Sequence, residues 1–494
     1  MSLRYASFTL ALWLGSAALS CAQNLEPAVD QILQDSLKTW GVPGAAVVIV
    51  QNDKVRIVKG YGKRELGRPE SVTPETVFPL GSCSKAFTTV VLAMLADEGK
   101  ISWDDPVRKH LPEFHLYDRH ADALVTIRDL VSHRTGVGSH DLLWYRASWS
   151  QEETVRRLAF VPPSGEFRSS YFYSTPQFMA AGQAAAKHCP QGWDGFVRER
   201  ILTPLQMTRT YLTSDAALRD PNHASPHRAN REGKLEKVDW FPQPLPNPAG
   251  SVYTTANDLG KWLRFQLGDG TWNGRRLVSS ANLNETHKPN TIIPMTDVAA
   301  ATYPYTVQLT YGMGWVMQDY RGVKLISHGG IVEGFKVNLA LLPAERIGIG
   351  VMVNEHASLM SMATINSILD LMLGAPAKDW NAHFGELMQA QEKAQKEAQA
   401  RRERERNLDD KPSLPLKEYA GTYEHPAYGE CRVEIRNGQL HWSWSTFQHP
   451  LTAYKHDTFE MRDVYLNDPL VEFSVEGNQV RNMKFRDIEL IKNK

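Results

Sequence analysis

GSCSKAFTTVVLAMLADEGK, residues 81–100, opens with two serines, a cysteine and a lysine and then runs into an apolar stretch closed by Gly99. From Phe87 to Leu95 the residues are apolar on nearly every side of a helix. That pattern predicts a helix over about Ser82 to Glu98, buried inside a large domain rather than lying on its surface. Ser82 and Lys85 would share one face at its first turn. A serine hydroxyl is a weak nucleophile until a base takes its proton, and a lysine desolvated among apolar neighbours can serve as that base. The start of a helix adds a main-chain N–H, that of Ser82 itself, aimed at a developing oxyanion. The plainer reading is a capping serine beside a lysine that reaches water, and for an isolated SxxK it is the commoner one. Two facts weigh against it here: the chain has no other SxxK, and a lysine without a task is costly in a buried helix.

The composition excludes several classes. With 55 basic and 55 acidic residues the formal charge is zero, so neither nucleic acid nor an anionic membrane is indicated as a partner. Arg4 precedes an apolar run from Phe8 to Leu19, and Ser20 and Ala22 supply small residues. Residues 1–22 therefore read as a signal peptide cleaved near Ala22, giving a secreted or periplasmic protein, with lipid attachment at Cys21 as the rival. No later run is long enough to span a bilayer. Cys83, Cys189 and Cys431 are far apart and odd in number, which gives neither a disulfide framework nor a zinc spacing. The histidines form no HExxH, so no metal or other cofactor is expected.

Strand patterns bracket a helical middle. LEPAVDQILQDSLKTWG, residues 25–41, predicts an opening helix, and AAVVIVQNDKVRIVKGYGK a hairpin about Asn52 and Asp53. Alternation returns from Tyr311 to His356. The class is α+β, with one antiparallel sheet made from both ends of the unit and helices on its faces. Residues 23–380 would form this domain, and 381–412 a charged helical linker, since the stretch from Ala390 to Pro415 has almost nothing to bury. Residues 413–494 predict a small all-β domain, a curved sheet or barrel, marked by the hairpin CRVEIR-NG-QLHWSW; its tryptophans are read as core rather than a ligand pocket.

The SCSK helix, GKISWDDPVRKHLPEF, TIRDLVSHRTG and GEFRSSYFYSTPQF together resemble the serine β-lactamase-related family, which includes class C β-lactamases, D-aminopeptidases, D,D-carboxypeptidases and carboxylesterases. The resemblance covers about residues 25–375 and implies a β-lactamase/transpeptidase-like domain. It implies that Ser82 is acylated, that Lys85 activates it, and that Tyr173, in the place of the family's Tyr-x-Asn tyrosine, shares the base role. Thr175 stands where the family usually has asparagine; an amide both donates and accepts, whereas threonine offers one short hydroxyl, and this weakens the case for peptide-like recognition. His328, Gly329 and Gly330 match the His-x-Gly form of the third motif, expected on the sheet's edge strand. An N–H at or after Gly330, that of Ile331 first, would complete the oxyanion hole with Ser82. The His form resembles the esterase and D-aminopeptidase branches, so β-lactam hydrolysis ranks as incidental.

EYAGTYEHPAYGECRVEI onward is similar to the lipocalin-like domain appended to some members. The implied partner is a small ester, a D-peptide or a β-lactam-like molecule, with no nucleic acid and no membrane span; a homo-oligomer is allowed. Two alternatives stand beside the esterase or D-aminopeptidase reading: a penicillin-binding-like sensing protein without turnover, and a true class C-like β-lactamase. An α/β-hydrolase is excluded, because no GxSxG exists in the chain.

Overall fold

The computed structural model describes residues 25–493. The expected cleavage near Ala22 and the alternative at Cys21 lie outside the described residues. Helix α1 (Leu25–Trp40) leads into β1 (Gly44–Gln51) and β2 (Lys54–Gly62), which turn through Asn52 and Asp53, both at positive φ. The sheet resumes after the helical middle with β3 (Thr291–Ile293), β4 (Leu309–Tyr311), β5 (Val316–Tyr320), β6 (Val323–Val332), β7 (Phe335–Leu342) and β8 (Ile347–Val353). The order across it is β2-β1-β8-β7-β6-β5-β4-β3. β1 lies antiparallel to β8 in a register running from Ala45↔Val353 to Gln51↔Ile347, so the two ends of the unit are stitched into one sheet as expected.

Both β1 and β8 are continuous apolar runs because both of their faces are covered. Val47 and Ile49 pack toward α1 and α5 (Met360–Leu373), while Ala46, Val48 and Val50 join the larger core on the opposite face. That core holds α2 (Lys85–Asp97), α3 (Thr175–Ala186) and α4 (Ala256–Leu267), where Phe87 of α2 stacks on Trp262 of α4 with ring centroids 3.8 Å apart. α2 is apolar all round because it is enclosed on every side, and Lys85 to Leu95 are all buried.

Two sequence expectations need correction. Ser82 does not begin the helix: Gly81–Ser84 form a tight 3-10 turn and α2 starts at Lys85. Strand β6 presses on this turn, and a Cβ on Gly81, whose φ is +51°, would lie 2.9 Å from the Ile331 nitrogen. Nor is β6 an edge strand of the sheet, since it lies between β7 and β5. β5, however, pairs with β6 only as far as Ser327, so the stretch from His328 to Val332 is a local edge left open to a ligand.

Helix α6 (Trp380–Glu405) anchors its first turns through buried Trp380 and Phe384 and is exposed from Gln389 to Arg401, which accounts for the charged composition of that stretch. It leads to a closed eight-stranded antiparallel barrel, β9 (Gly421–His425), β10 (Gly429–Arg436), β11 (Gln439–Trp444), β12 (Phe447–Lys455), β13 (Thr458–Met461), β14 (Leu470–Glu476), β15 (Gln479–Phe485) and β16 (Ile488–Lys492). Tyr423, Trp442, Phe473, Met483 and Leu490 are buried and fill it, so its aromatics are core, as expected of strand faces in a small barrel. Ile435, at the end of β10, is instead exposed. No helix among the described residues is long and apolar enough to cross a membrane.

Candidate active site

The 3-10 turn, the start of α2, the start of α3 and the open edge of β6 converge on a cavity of about 670 Å³. Ser82, Tyr173, Thr175, His328, Gly330 and Ile331 all line it, while Lys85 lies fully buried behind Ser82. The Lys85 Nζ donates to Ser82 Oγ at 3.1 Å and to the Ala249 carbonyl at 3.1 Å. Burial disfavours its charged form and brings its pKa down to about 7. Ser84 is turned away, its hydroxyl accepting from the Val252 amide at 3.0 Å, and Cys83 is packed with its Sγ donating to the His328 carbonyl. Of the three side chains in SCSK that could act as nucleophiles, only Ser82 faces the cavity.

Tyr173 is enclosed, with its ring centroid 4.9 Å from Lys85 Nζ. Burial raises its phenol well above the ordinary value, and the nearby Ser82 hydroxyl offsets this only in part. A phenolate is therefore disfavoured here, and the phenol stays a proton donor. Its position is held by His133, a residue to which sequence reasoning assigned no role. The His133 carbonyl accepts from the Phe172 amide at 3.0 Å and its Nδ1 accepts from the Ser174 amide at 3.1 Å, so the backbone is fixed on both sides of Tyr173.

His328 is buried and its tautomer is determined by its partners. Nδ1 faces the Gly329 carbonyl at 2.7 Å and must donate, which leaves Nε2 to accept from the Tyr311 hydroxyl at 3.0 Å. Burial and the Lys85 charge push it down to about 3, so it carries no charge at neutral pH. Gly330 allows the closest backbone approach in the site: a Cβ there would come within 1.9 Å of the Leu80 carbonyl oxygen and 3.2 Å of the Ser82 nitrogen. The backbones at 81–82 and 330–331 thus face each other closely, while the Ile331 side chain points outward. Thr175 opens α3 directly before Pro176, and the side chains of Gln243 and Asn247 lie on the same cavity wall system.

The barrel contributes to this cavity, through residues that the sequence did not single out. Tyr465, from the loop 462–469, and Arg486 line it. Tyr465 sits between Arg146 and Arg228, whose guanidinium carbons are 4.6 Å and 5.3 Å from its ring centroid. Tyr428 Oη meets His140 Nδ1 at 2.7 Å, and Ser445 and Thr446 both donate to the Arg146 carbonyl. One end of the barrel therefore closes over the loop from 138 to 146 and the cleft beside it.

A mixed helix-and-sheet unit with a cavity-lining serine backed by a buried lysine against an open strand edge defines a β-lactamase/transpeptidase-like protein, here with an appended closed barrel. A family model described as Beta-lactamase matches residues 29–370, and the chain belongs to that family of serine hydrolases. A model described as a domain of unknown function, DUF3471, matches residues 405–493. The Unguisins hydrolase ungD of Aspergillus violaceofuscus is 27% identical over 87% of this chain and 80% of its own length. Protein flp of Staphylococcus aureus is 25% identical over 67% of this chain and 63% of its own length. Among solved structures, the octameric penicillin-binding protein homologue from Pyrococcus abyssi has the same fold, with a TM-score of 0.63 at 22% identity, covering 94% of this chain and 99% of that one.

Proposed function

We propose that this chain is a serine hydrolase that works through an acyl-enzyme on Ser82 and acts on small esters and on amides or peptides containing D-amino acids. The observation that carries the reading is the Lys85 ammonium, fully buried, 3.1 Å from Ser82 Oγ and brought down to about 7. Near neutral pH a useful fraction is the free amine, which can take the Ser82 proton as the hydroxyl attacks a carbonyl. The tetrahedral oxyanion is assigned to the main-chain amides of Ser82 and Ile331, whose segments Gly81 and Gly330 bring together. Tyr173, kept protonated, is assigned the proton transfer to the leaving group, giving up its own proton as it takes the one Lys85 removed from Ser82, so that the Lys85 amine is free again when water attacks the acyl-enzyme.

Neutral His328, already committed to Tyr311, offers no cation beside the scissile bond. Cephalosporins, whose carboxylate is held rigidly close to the lactam, are therefore expected to be poor substrates. The peptide arm of the proposal rests on the kinship with a protein named as a hydrolase of unguisins, and on Gln243 and Asn247, which line the cavity with their amide oxygens already accepting from the Tyr253 hydroxyl and the Ala249 amide, so that their NH2 groups remain to donate. A secreted or periplasmic setting belongs to the same proposal. Intact-mass analysis after reaction with a fluorophosphonate tests it: one adduct on the wild type and none on Ser82→Ala is expected. Absence of an adduct on the wild type, or an equal adduct on both, would leave a binding protein without turnover.

A further inference from the structure

The cavity does not stop at the catalytic face of the sheet. Gly330 is in register with Val337, and Ile331 with Lys336. Side chains alternate along a strand, so Ile331 and Lys336 point to the face opposite the one on which Gly330 meets the turn at Leu80. The cavity lining nevertheless includes Lys336, Asn338 and Met362 together with Ser82. The space therefore wraps round the open edge of β6 and continues on the far face.

Two cations lining this cavity, Lys336 on the far face and Arg228, form no ion pair with a carboxylate among the described residues. Lys336 is largely enclosed, and its ammonium has no hydrogen bond or ion pair among the described residues; burial lowers its pKa, and the more distant charge of Glu355 offsets this only in part. Arg228 stacks on Tyr465 and makes one long contact to the Val464 carbonyl, with no carboxylate partner among the described residues. Neighbouring acids are committed elsewhere. Glu333 is held by Arg146 and by the Tyr145 hydroxyl, and Glu355 has its two oxygens on the amides of Ala357 and Ser358. His356, pushed down to about 4 by burial, adds no charge at neutral pH. An enclosed ammonium without a partner is unfavourable in the empty site and becomes favourable once an anion completes it.

Resting on the acyl-enzyme reading, we propose that Lys336, which shares the cavity with Arg228, binds a carboxylate carried by the substrate several bonds away from the scissile carbonyl. Such a carboxylate reaches Lys336 only on a flexible or extended substrate that passes the edge of β6. A bicyclic lactam cannot place its own there. The substrate class is thereby narrowed to esters or peptides bearing a remote free carboxylate.

Two matched pairs of esters test this. On the acyl side, the 4-nitrophenyl monoester of glutaric acid is compared with 4-nitrophenyl pentanoate; on the leaving-group side, 3-carboxyphenyl pentanoate is compared with phenyl pentanoate. In the wild type, kcat/KM is expected to favour the carboxylate in one pair by about tenfold or more, and raised salt to shrink the ratio. In Lys336→Met the ratio is expected to fall to within about threefold of unity. Glutarate is further expected to inhibit the wild type competitively, and glutaramide not to, a comparison that needs no variant. Equal rates within both pairs, or a preference that survives Lys336→Met, overturns the carboxylate subsite while hydrolysis of pentanoate esters leaves the serine hydrolase standing. Failure to hydrolyse any of the four, with no adduct on Ser82, overturns both.

Discussion

The pairing of Ser82 with Lys85 was legible as a spacing, but its chemistry depends on what surrounds Lys85 Nζ. With a pKa of about 7 the base form of Lys85 grows as pH rises through that value. The acylation rate is therefore expected to climb from pH 6 to 8 and then level off, as measured by stopped-flow release of 4-nitrophenol in the first turnover. A rate independent of pH over that range would assign the base role to another group. Replacing Lys85 by alanine removes the base, and kcat/KM is expected to fall by about 10²–10⁴-fold. His133 shows what the sequence left hidden at this scale. Its ring reads as one more residue in TIRDLVSHRTG, yet its main-chain carbonyl and its Nδ1 hold the backbone on either side of Tyr173.

Among the elements, β6 and the 3-10 turn are the pair on which the site depends. HGG reads in sequence as a turn or a strand end; in the fold it continues β6 beyond the reach of β5. Gly330→Ala puts a methyl group 1.9 Å from the Leu80 carbonyl, so either the strand or the turn must move. A loss of about 1–3 kcal/mol in stability by urea denaturation is expected, with a far larger loss in turnover because the displaced turn carries Ser82. Unchanged kinetics in Gly330→Ala would show that the close approach is not needed. The misplaced start of α2 has a similar origin. Helical periodicity runs through Ser82 to Lys85 without a break, and only contact with β6 tightens those residues into a 3-10 turn.

Across the whole molecule, the barrel and the hydrolase domain share one cavity. The composition change after Ala390 signalled a separate module, and the Asn437-Gly438 hairpin signalled its strands; neither showed that Tyr465 and Arg486 reach the cleft. Tyr465→Ala removes the ring held between Arg146 and Arg228 and opens the cleft on that side. The ratio of kcat/KM for bulky over small acyl esters is expected to rise by about tenfold. An unchanged ratio would make the loop 462–469 a bystander to selectivity.

What the amino-acid sequence determined by itself was local and periodic. The buried helix behind SCSK, the strand runs at both ends of the unit, the charged helix and the barrel hairpins follow from patterns a few residues long, which chain geometry converts directly into faces and turns. The tertiary structure alone decided which groups lose their water and which remain unpaired. Enclosure lowers the pKa of Lys85 to about 7 and keeps His328 neutral, β6 is opened at His328 by the shortness of β5, and Lys336 is left without an ion pair among the described residues on the far wall of a cavity completed by the barrel. Desolvation and charge pairing sum over residues distant in the chain, and no short stretch of sequence contains that sum.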